Sequence, residues 1–282
     1  MSHPKIIQAV ESGASDEFYR LWLGPQMVYS SALWYEDEDI VTAQCNKIDW
    51  HLQHSGVQSG GRLLDIGCGW GALLKRAVTS IGVKEATGLT LSQTQYDSIC
   101  IQKLANVEVR LESWVAHMPE QVYDGITSIG AFEHFVRLDK TGEKRLKIYR
   151  TFFEFCHRAL RPQGGLSLQT IMYENFDRSR ANALIADTIF PESDLPYLDE
   201  IVQSCRGLFE IEIIRNDRMH YARTLLHWLD NLRAKRTEAI ALVGAETVAS
   251  YEKFLGLSSI GFHTGMLNLG RIAMRRIDFP SC

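Results

Sequence analysis

The feature that most restricts how this 282-residue chain can fold is Leu63-Leu64-Asp65-Ile66-Gly67-Cys68-Gly69-Trp70-Gly71-Ala72, an apolar run ending in three closely spaced glycines. It reads as strand, tight turn and helix. Glycines at such a junction let the backbone turn sharply and approach a ligand without Cβ interference, and the following helix presents free N–H groups to it. The pattern Gly67-x-Gly69-x-x-Ala72 also satisfies the dinucleotide fingerprint that admits alanine at its third place. A tight turn without any ligand is the plainer alternative, so discrimination must come from the rest of the chain.

From Arg62 onward strands and helices alternate. Arg62 to Ile66 precedes a helix from Trp70, and Lys84 to Gly88 precedes a helix from Ser92. Strands over Val107 to Leu111 and Gly125 to Gly130, a helix from about Arg145 to Leu160 and a strand over Gly165 to Thr170 follow. Such alternation predicts an α/β fold with a parallel, doubly wound sheet. Some 60 residues precede it. There Ser15-Asp16-Glu17 caps a helix with Phe18, Leu21 and Trp22 on one face, and Val41, Cys45, Ile48 and Leu52 mark a second amphipathic helix. Beyond Thr170 a polar stretch to Asn182 and two prolines, Pro191 and Pro196, mark an insertion. Phe209 to Ile214 resumes strand character, two helical regions run from His220 to about Leu255, and Gly265 to Arg276 reads as a last edge strand. The length suits one domain over residues 1–282, with an N-terminal helical lid over 1–60 and a substrate-capping insertion over 171–208.

Composition narrows the partners. A formal net charge of -4 gives no general attraction for nucleic acid, and the cluster Arg233, Lys235 and Arg236 reads as a solvated helix end. No apolar run reaches the roughly 18 residues of a membrane span, so no stable membrane insertion is expected. Met1-Ser2-His3-Pro4-Lys5 leads into no signal-peptide core. Cys45, Cys68, Cys100, Cys156, Cys205 and Cys282 are scattered without a Cys-x-x-Cys, which fits free thiols in a reducing cytoplasm and predicts no metal site. Apolar N-terminal residues such as Phe18, Leu21 and Trp22 fit packing on the domain or on a second subunit of a homo-oligomer.

The second strand discriminates between ligands. Dinucleotide-binding domains place an acidic residue about 20 residues after the glycines to hold the ribose. Here Lys84-Glu85-Ala86-Thr87-Gly88-Leu89-Thr90 carries its one carboxylate at the strand's beginning, and no basic residue in the glycine turn would meet a pyrophosphate. A nucleoside without phosphates fits better.

Three motifs together, Asp65-Ile66-Gly67-Cys68-Gly69-Trp70-Gly71, Gly88-Leu89-Thr90-Leu91-Ser92-x-x-Gln95 and Ser128-Ile129-Gly130-Ala131-Phe132-Glu133-His134-Phe135, carry a family resemblance. In this order and spacing the chain resembles the cyclopropane fatty acid synthase and mycolic acid methyltransferase family, from about Phe18 to near Ile277. The resemblance implies a Rossmann-like class I methyltransferase that uses S-adenosylmethionine (SAM). It implies that Gly67, Gly69 and Gly71 meet the methionine end of SAM, with Asp65 orienting the turn, and that Thr90 and Gln95 lie near the ribose. Trp114 would line the adenine pocket, and Tyr29, Ser30 and Gly130 complete the implied cofactor set. Tyr19 and Trp34 are further lid candidates. Glu133 and His134, at the end of the fourth strand, and Tyr221 are the implied catalytic residues.

The same resemblance exposes departures. Cyclopropane-forming members hold a bicarbonate ion, the base of that reaction, with a cysteine, a glutamate, a histidine and a tyrosine. The matching positions here are Ser31, Glu133, Gln169 and Tyr221. Serine and glutamine still hydrogen-bond, but glutamine cannot become cationic or transfer protons as histidine does. The Tyr-Asp pair that relatives carry before the Ser-Asp-x-Phe element is absent from Ser12-Gly13-Ala14-Ser15, and the insertion after Thr170 is shorter than in the long-chain lipid enzymes. Ser31, Gln169 and His220 are therefore expected at the acceptor. The expected activity is C-methylation of an alkene in an apolar, prenyl or terpenoid-type small molecule of natural-product biosynthesis. N-methylation of an amine and modification of an unsaturated fatty acyl lipid are the alternatives.

Overall fold

The computed structural model describes residues 16–137, 140–178 and 194–278. Seven strands form one sheet in the order β3-β2-β1-β4-β5-β7-β6. In chain order they are β1 Arg62–Ile66, β2 Glu85–Thr90, β3 Val107–Leu111, β4 Tyr123–Ile129, β5 Leu160–Tyr173, β6 Phe209–Asn216 and β7 Leu267–Arg276. The helices are α1 Asp16–Leu23, α2 Ile40–His54, α3 Ala72–Arg76 with a π-helical continuation Ala77–Ile81, α4 Gln93–Gln102, α5 Gly142–Ala159, α6 Leu198–Cys205, α7 Arg218–Ala234, α8 Arg236–Val243 and α9 Ala245–His263.

The strand–turn–helix reading holds at the centre. Leu63, Leu64 and Ile66 of β1 are buried, as a strand covered on both faces requires. β1 pairs in parallel with β2 on one side (Leu63↔Ala86) and with β4 on the other (Leu63↔Gly125). Chain order reverses there, and such a switch point opens a crevice beyond the strand carboxyl ends.

The sheet is not wholly parallel. β7 runs antiparallel to both β5 and β6 and lies between them, so the strand expected at an edge is internal and β6 forms the edge. Burial explains the exchange. The first eight residues of β7 are all buried, whereas β6 is largely open to solvent beyond Phe209. Three helices stand where two were expected, because the chain breaks at Lys235 and again at Gly244, whose φ of +82° suits glycine. Around that first break Lys235 and Arg236 pair with Glu238 and Glu252 at a solvated surface.

The apolar face of α1 is covered by its own chain. Phe18 packs edge-on against Tyr251 with ring centroids 5.0 Å apart, and Trp22 meets Trp228 at 5.8 Å. Trp70 Nε1 donates to the Asp16 carboxylate at 2.8 Å, which ties α1 to the glycine turn. Tyr19 is buried in this cluster, its hydroxyl 2.8 Å from that of Tyr251, and Trp34 stacks on His227 with centroids 4.7 Å apart. Of the segments expected to cap α1 and the substrate, Ser15 and residues 179–193 lie outside the described residues, as do Met1 to Lys5 and Cys282. No helix among the described residues is long and apolar enough to cross a membrane.

Candidate active site

A cavity of about 690 Å³ opens where β1, β2 and β4 end. Gly67, with φ +83°, begins its floor. A Cβ there would fall 2.6 Å from the Cβ of Ala131, so only glycine fits between the two loops. The N–H groups of Gly67 and Cys68 donate to Leu89 O at 2.9 and 3.0 Å, pinning the turn to the end of β2. Gly69 and Gly71 also have positive φ; Gly69 and Gly130 border the same space, whereas Gly71, expected at the cofactor, does not, and its Cβ direction faces Ile99 of α4.

Asp65, expected to orient the turn, instead reaches across the sheet and accepts from Thr127 Oγ1 at 2.8 Å. Burial pushes its carboxyl up to about 6, against the opposing pull of Thr127 and Lys47. Thr90 Oγ1 donates to Gln95 Oε1 at 2.7 Å and accepts from the Ser92 N–H, leaving the Gln95 amide nitrogen as a donor at the cavity edge. Trp114 packs on Phe135, Phe152 and Phe155 at centroid distances of 5.3, 5.4 and 5.7 Å and still borders the cavity beside Glu112 and Ser113. It is at once core and cavity wall.

Glu133 lies in a 3₁₀ turn, Phe132–His134, directly after β4. Its Oε1 accepts from the Ile171 N–H at 2.6 Å, and its buried Oε2 has no partner. Burial raises this carboxyl to about 7, although its backbone hydrogen bonds pull the other way. Burial pushes the His134 imidazole down to about 4. Tyr221 lines the same space, and burial together with nearby Glu133 holds its phenol above the ordinary value.

Gln169, on β5, also faces the cavity. Its Oε1 accepts from Arg271 Nε at 2.9 Å and lies 3.3 Å from His51 Nε2, so two neighbours fix the amide with its oxygen turned inward and its NH₂ towards the cavity. Arg271 is fully buried on β7, where its guanidinium also pairs with Asp217 and donates to Ser31 O and Ala32 O.

Two expected acceptor residues do not line the cavity. Ser31 is wholly buried, its hydroxyl donating to Ala32 O at 3.1 Å, and His220 Nδ1 accepts from the Trp34 N–H at 3.1 Å. Ser31 stands behind Gln169, joined to it through Arg271, and His220 is held by the Trp34 contact. Tyr19 and Trp34 are likewise absent from the lining, and Tyr29 alone of the three aromatic lid candidates borders the cavity.

The sequence reading missed Lys47. It lies on α2, is 2% exposed, borders the cavity, and donates to Ser30 Oγ at 2.9 Å. Gln44, Lys47 and His51 form a buried polar stripe at helical spacing beside the apolar Ile48 and Leu52. That spacing was the available signal, and on an isolated helix it reads as a solvated face.

These residues suit a nucleoside carrying an amino-acid head and a positive charge. The glycine cradle has no room for a Cβ at Gly67, Asp65 and Lys47 offer opposite charges beside it, and the unpaired Glu133 oxygen awaits a donor or a cation. No group of histidine, cysteine, aspartate and glutamate able to hold a metal ion occurs among the described residues.

Comparison with known proteins agrees. The family model "Mycolic acid cyclopropane synthetase" matches residues 7–272. Cyclopropane mycolic acid synthase 1 of Mycobacterium tuberculosis is 35% identical, over 93% of this chain and 94% of its own. The crystal structure of mycolic acid cyclopropane synthase CmaA1 complexed with SAH and CTAB has 31% identity and a TM-score of 0.83, covering 95% of this chain and 98% of that one. A coclaurine N-methyltransferase structure, at 20% identity, TM-score 0.76 and coverage of 96% and 85%, shares the fold. The chain therefore belongs to the mycolic acid cyclopropane synthetase family and is a SAM-dependent methyltransferase.

Proposed function

We propose that the enzyme methylates an alkene carbon of a compact, apolar molecule of prenyl or terpenoid type, with Glu133 taking the proton that is lost afterwards. The observation behind this reading is the buried Glu133 carboxylate at the cavity, one oxygen held by the Ile171 N–H and the other without a partner. SAM, when bound, supplies a methyl group activated by the positive charge on its sulfur, which leaves with the electron pair of the broken bond. In this reading Gly67, Gly69, Tyr29, Ser30 and Gly130 would hold the methionine end, Thr90 and Gln95 the ribose, and Trp114 the adenine, while Gly71 lets the turn enter α3.

The acceptor's π electrons form the new bond, and positive charge appears on the neighbouring carbon. Glu133, ionised above about pH 7, stabilises that charge and accepts the proton whose loss restores a double bond. Tyr221 stays protonated and contributes a ring face and a hydroxyl beside it. Neutral His134 shapes the same wall. Gln169 offers only N–H donors, so it orients an oxygen but moves no proton.

Two observations favour a compact acceptor and simple methylation over ring closure. Ser31 is turned away from the cavity and Gln169 replaces a titratable side chain, so the bicarbonate-holding set of ring-forming members is incomplete. A volume of about 690 Å³ also falls within the range of clefts that bury drug-sized ligands, and here it serves donor and acceptor together. A second reading, modification of an unsaturated acyl lipid, is favoured by the names of the relatives at 35% identity. Incubation with SAM and either prenylated alkenes or unsaturated phospholipids, followed by mass spectrometry, separates the two. Gain of one CH₂ on the prenylated acceptor supports the proposal, and gain on the phospholipid alone contradicts it.

A further inference from the structure

Lys47 is a buried ammonium facing the cavity with one hydrogen-bond partner among the described residues, the Ser30 hydroxyl at 2.9 Å. It forms no ion pair with a carboxylate among the described residues. Burial lowers its affinity for the proton to a value of about 7, with Arg271 adding to the effect and Asp65 and Cys45 opposing it. A cation in this position is costly unless an anion joins it. Ser30 is fixed as well, since its carbonyl accepts from Gln44 Nε2 at 2.9 Å. Because Ser30 Oγ accepts from Lys47, its own proton is available to the cavity.

We infer that Lys47, directly and through Ser30, is the counter-charge for the α-carboxylate of the methyl donor and of its product. Asp65 and Lys47 both border the cavity beside Gly67, so their opposite charges match the two ends of a zwitterionic amino-acid head. Adenosine and ribose contacts fix the nucleoside, and Lys47 makes the site require the amino acid attached to it. The inference rests on the glycine turn holding the donor and is independent of the acceptor.

Calorimetric titration with two ligands tests it. S-Adenosylhomocysteine carries the amino-acid head, and 5′-methylthioadenosine keeps the nucleoside and sulfur but lacks that head. In Lys47→Met and Lys47→Gln, affinity for S-adenosylhomocysteine should fall roughly 10- to 100-fold, as expected for a hydrogen bond to a charged group. Affinity for 5′-methylthioadenosine should stay within about 2-fold, since no charged contact to it is lost. Melting curves of the ligand-free variants establish that they fold, and Lys47→Gln keeps a donor to Ser30 if the methionine variant does not. Equal weakening of both ligands, or unchanged binding of S-adenosylhomocysteine, would overturn the inference. Failure of the wild-type protein to bind either ligand would overturn the donor-site reading beneath it.

Discussion

The Glu133 carboxylate hangs from the Ile171 backbone N–H by a 2.6 Å hydrogen bond, one oxygen satisfied and the other unpaired at the cavity. The contact fixes the turn after β4 to β5 and aims one carboxylate oxygen. Removing the charge while keeping the shape, in Glu133→Gln, should lower turnover by about 10²- to 10⁴-fold. Titration with S-adenosylhomocysteine should show affinity changed by no more than about 3-fold, because that product carries no charge on sulfur for Glu133 to meet. Unchanged turnover would remove Glu133 from the mechanism.

The same group sets a pH signature. Its folded-state value of about 7 lies above the ordinary 4.5, so between these values the native protein holds a proton that the unfolded chain has lost. Stability from this group is therefore intact below about pH 4 and declines as pH rises through 7. Glu133→Gln should melt with wild type in acid and above it by several degrees near pH 8, as differential scanning calorimetry would show. Wild-type turnover should rise through about pH 7, opposite in direction to stability.

Gly67→Ala tests the cradle. The added methyl would fall 2.6 Å from Ala131 Cβ at a φ of +83°, so either the turn or the loop after β4 must move. Binding of S-adenosylhomocysteine should weaken at least about 10-fold, since backbone approach to the ligand is what the glycine permits.

Arg271→Met should cost about 3–5 kcal/mol, the usual penalty for breaking a buried pair. A fall in melting temperature on the order of 10 °C would follow for a chain of this size. Asp217 keeps Arg215 as a partner, and His51 remains near Gln169, so the loss falls mainly on the buried carbonyls of Ser31 and Ala32 and on the orientation of Gln169. A variant that melts with wild type would show that these contacts are replaced by water.

The central strand–turn–helix unit and the alternation that follows it were legible in the sequence because local periodicity and closely spaced glycines encode them, whereas Glu133 was marked by the motif resemblance. The place of β7 was not. Nothing local in Leu267 to Arg276 says that it enters between β5 and β6, since that choice is made by pairing across about 100 residues of chain, as Gln169↔Arg271 illustrates. The motif resemblance brought Ser31 and His220 to the right neighbourhood, but Ser31 is held by Arg271 and His220 by the Trp34 N–H, contacts that no motif includes. Lys47 was hidden for a related reason. A polar stripe beside an apolar one looks solvated until the sheet covers both.

The most direct test of the central claim follows the label from methyl-deuterated SAM into the product of a prenylated alkene. Methyl transfer with loss of a proton from the acceptor retains all three methyl deuterons, located on carbon by nuclear magnetic resonance, and this is the predicted result. Ring closure would retain two of the three in a cyclopropane methylene, and that product, or a labelled methyl on nitrogen, would contradict the account.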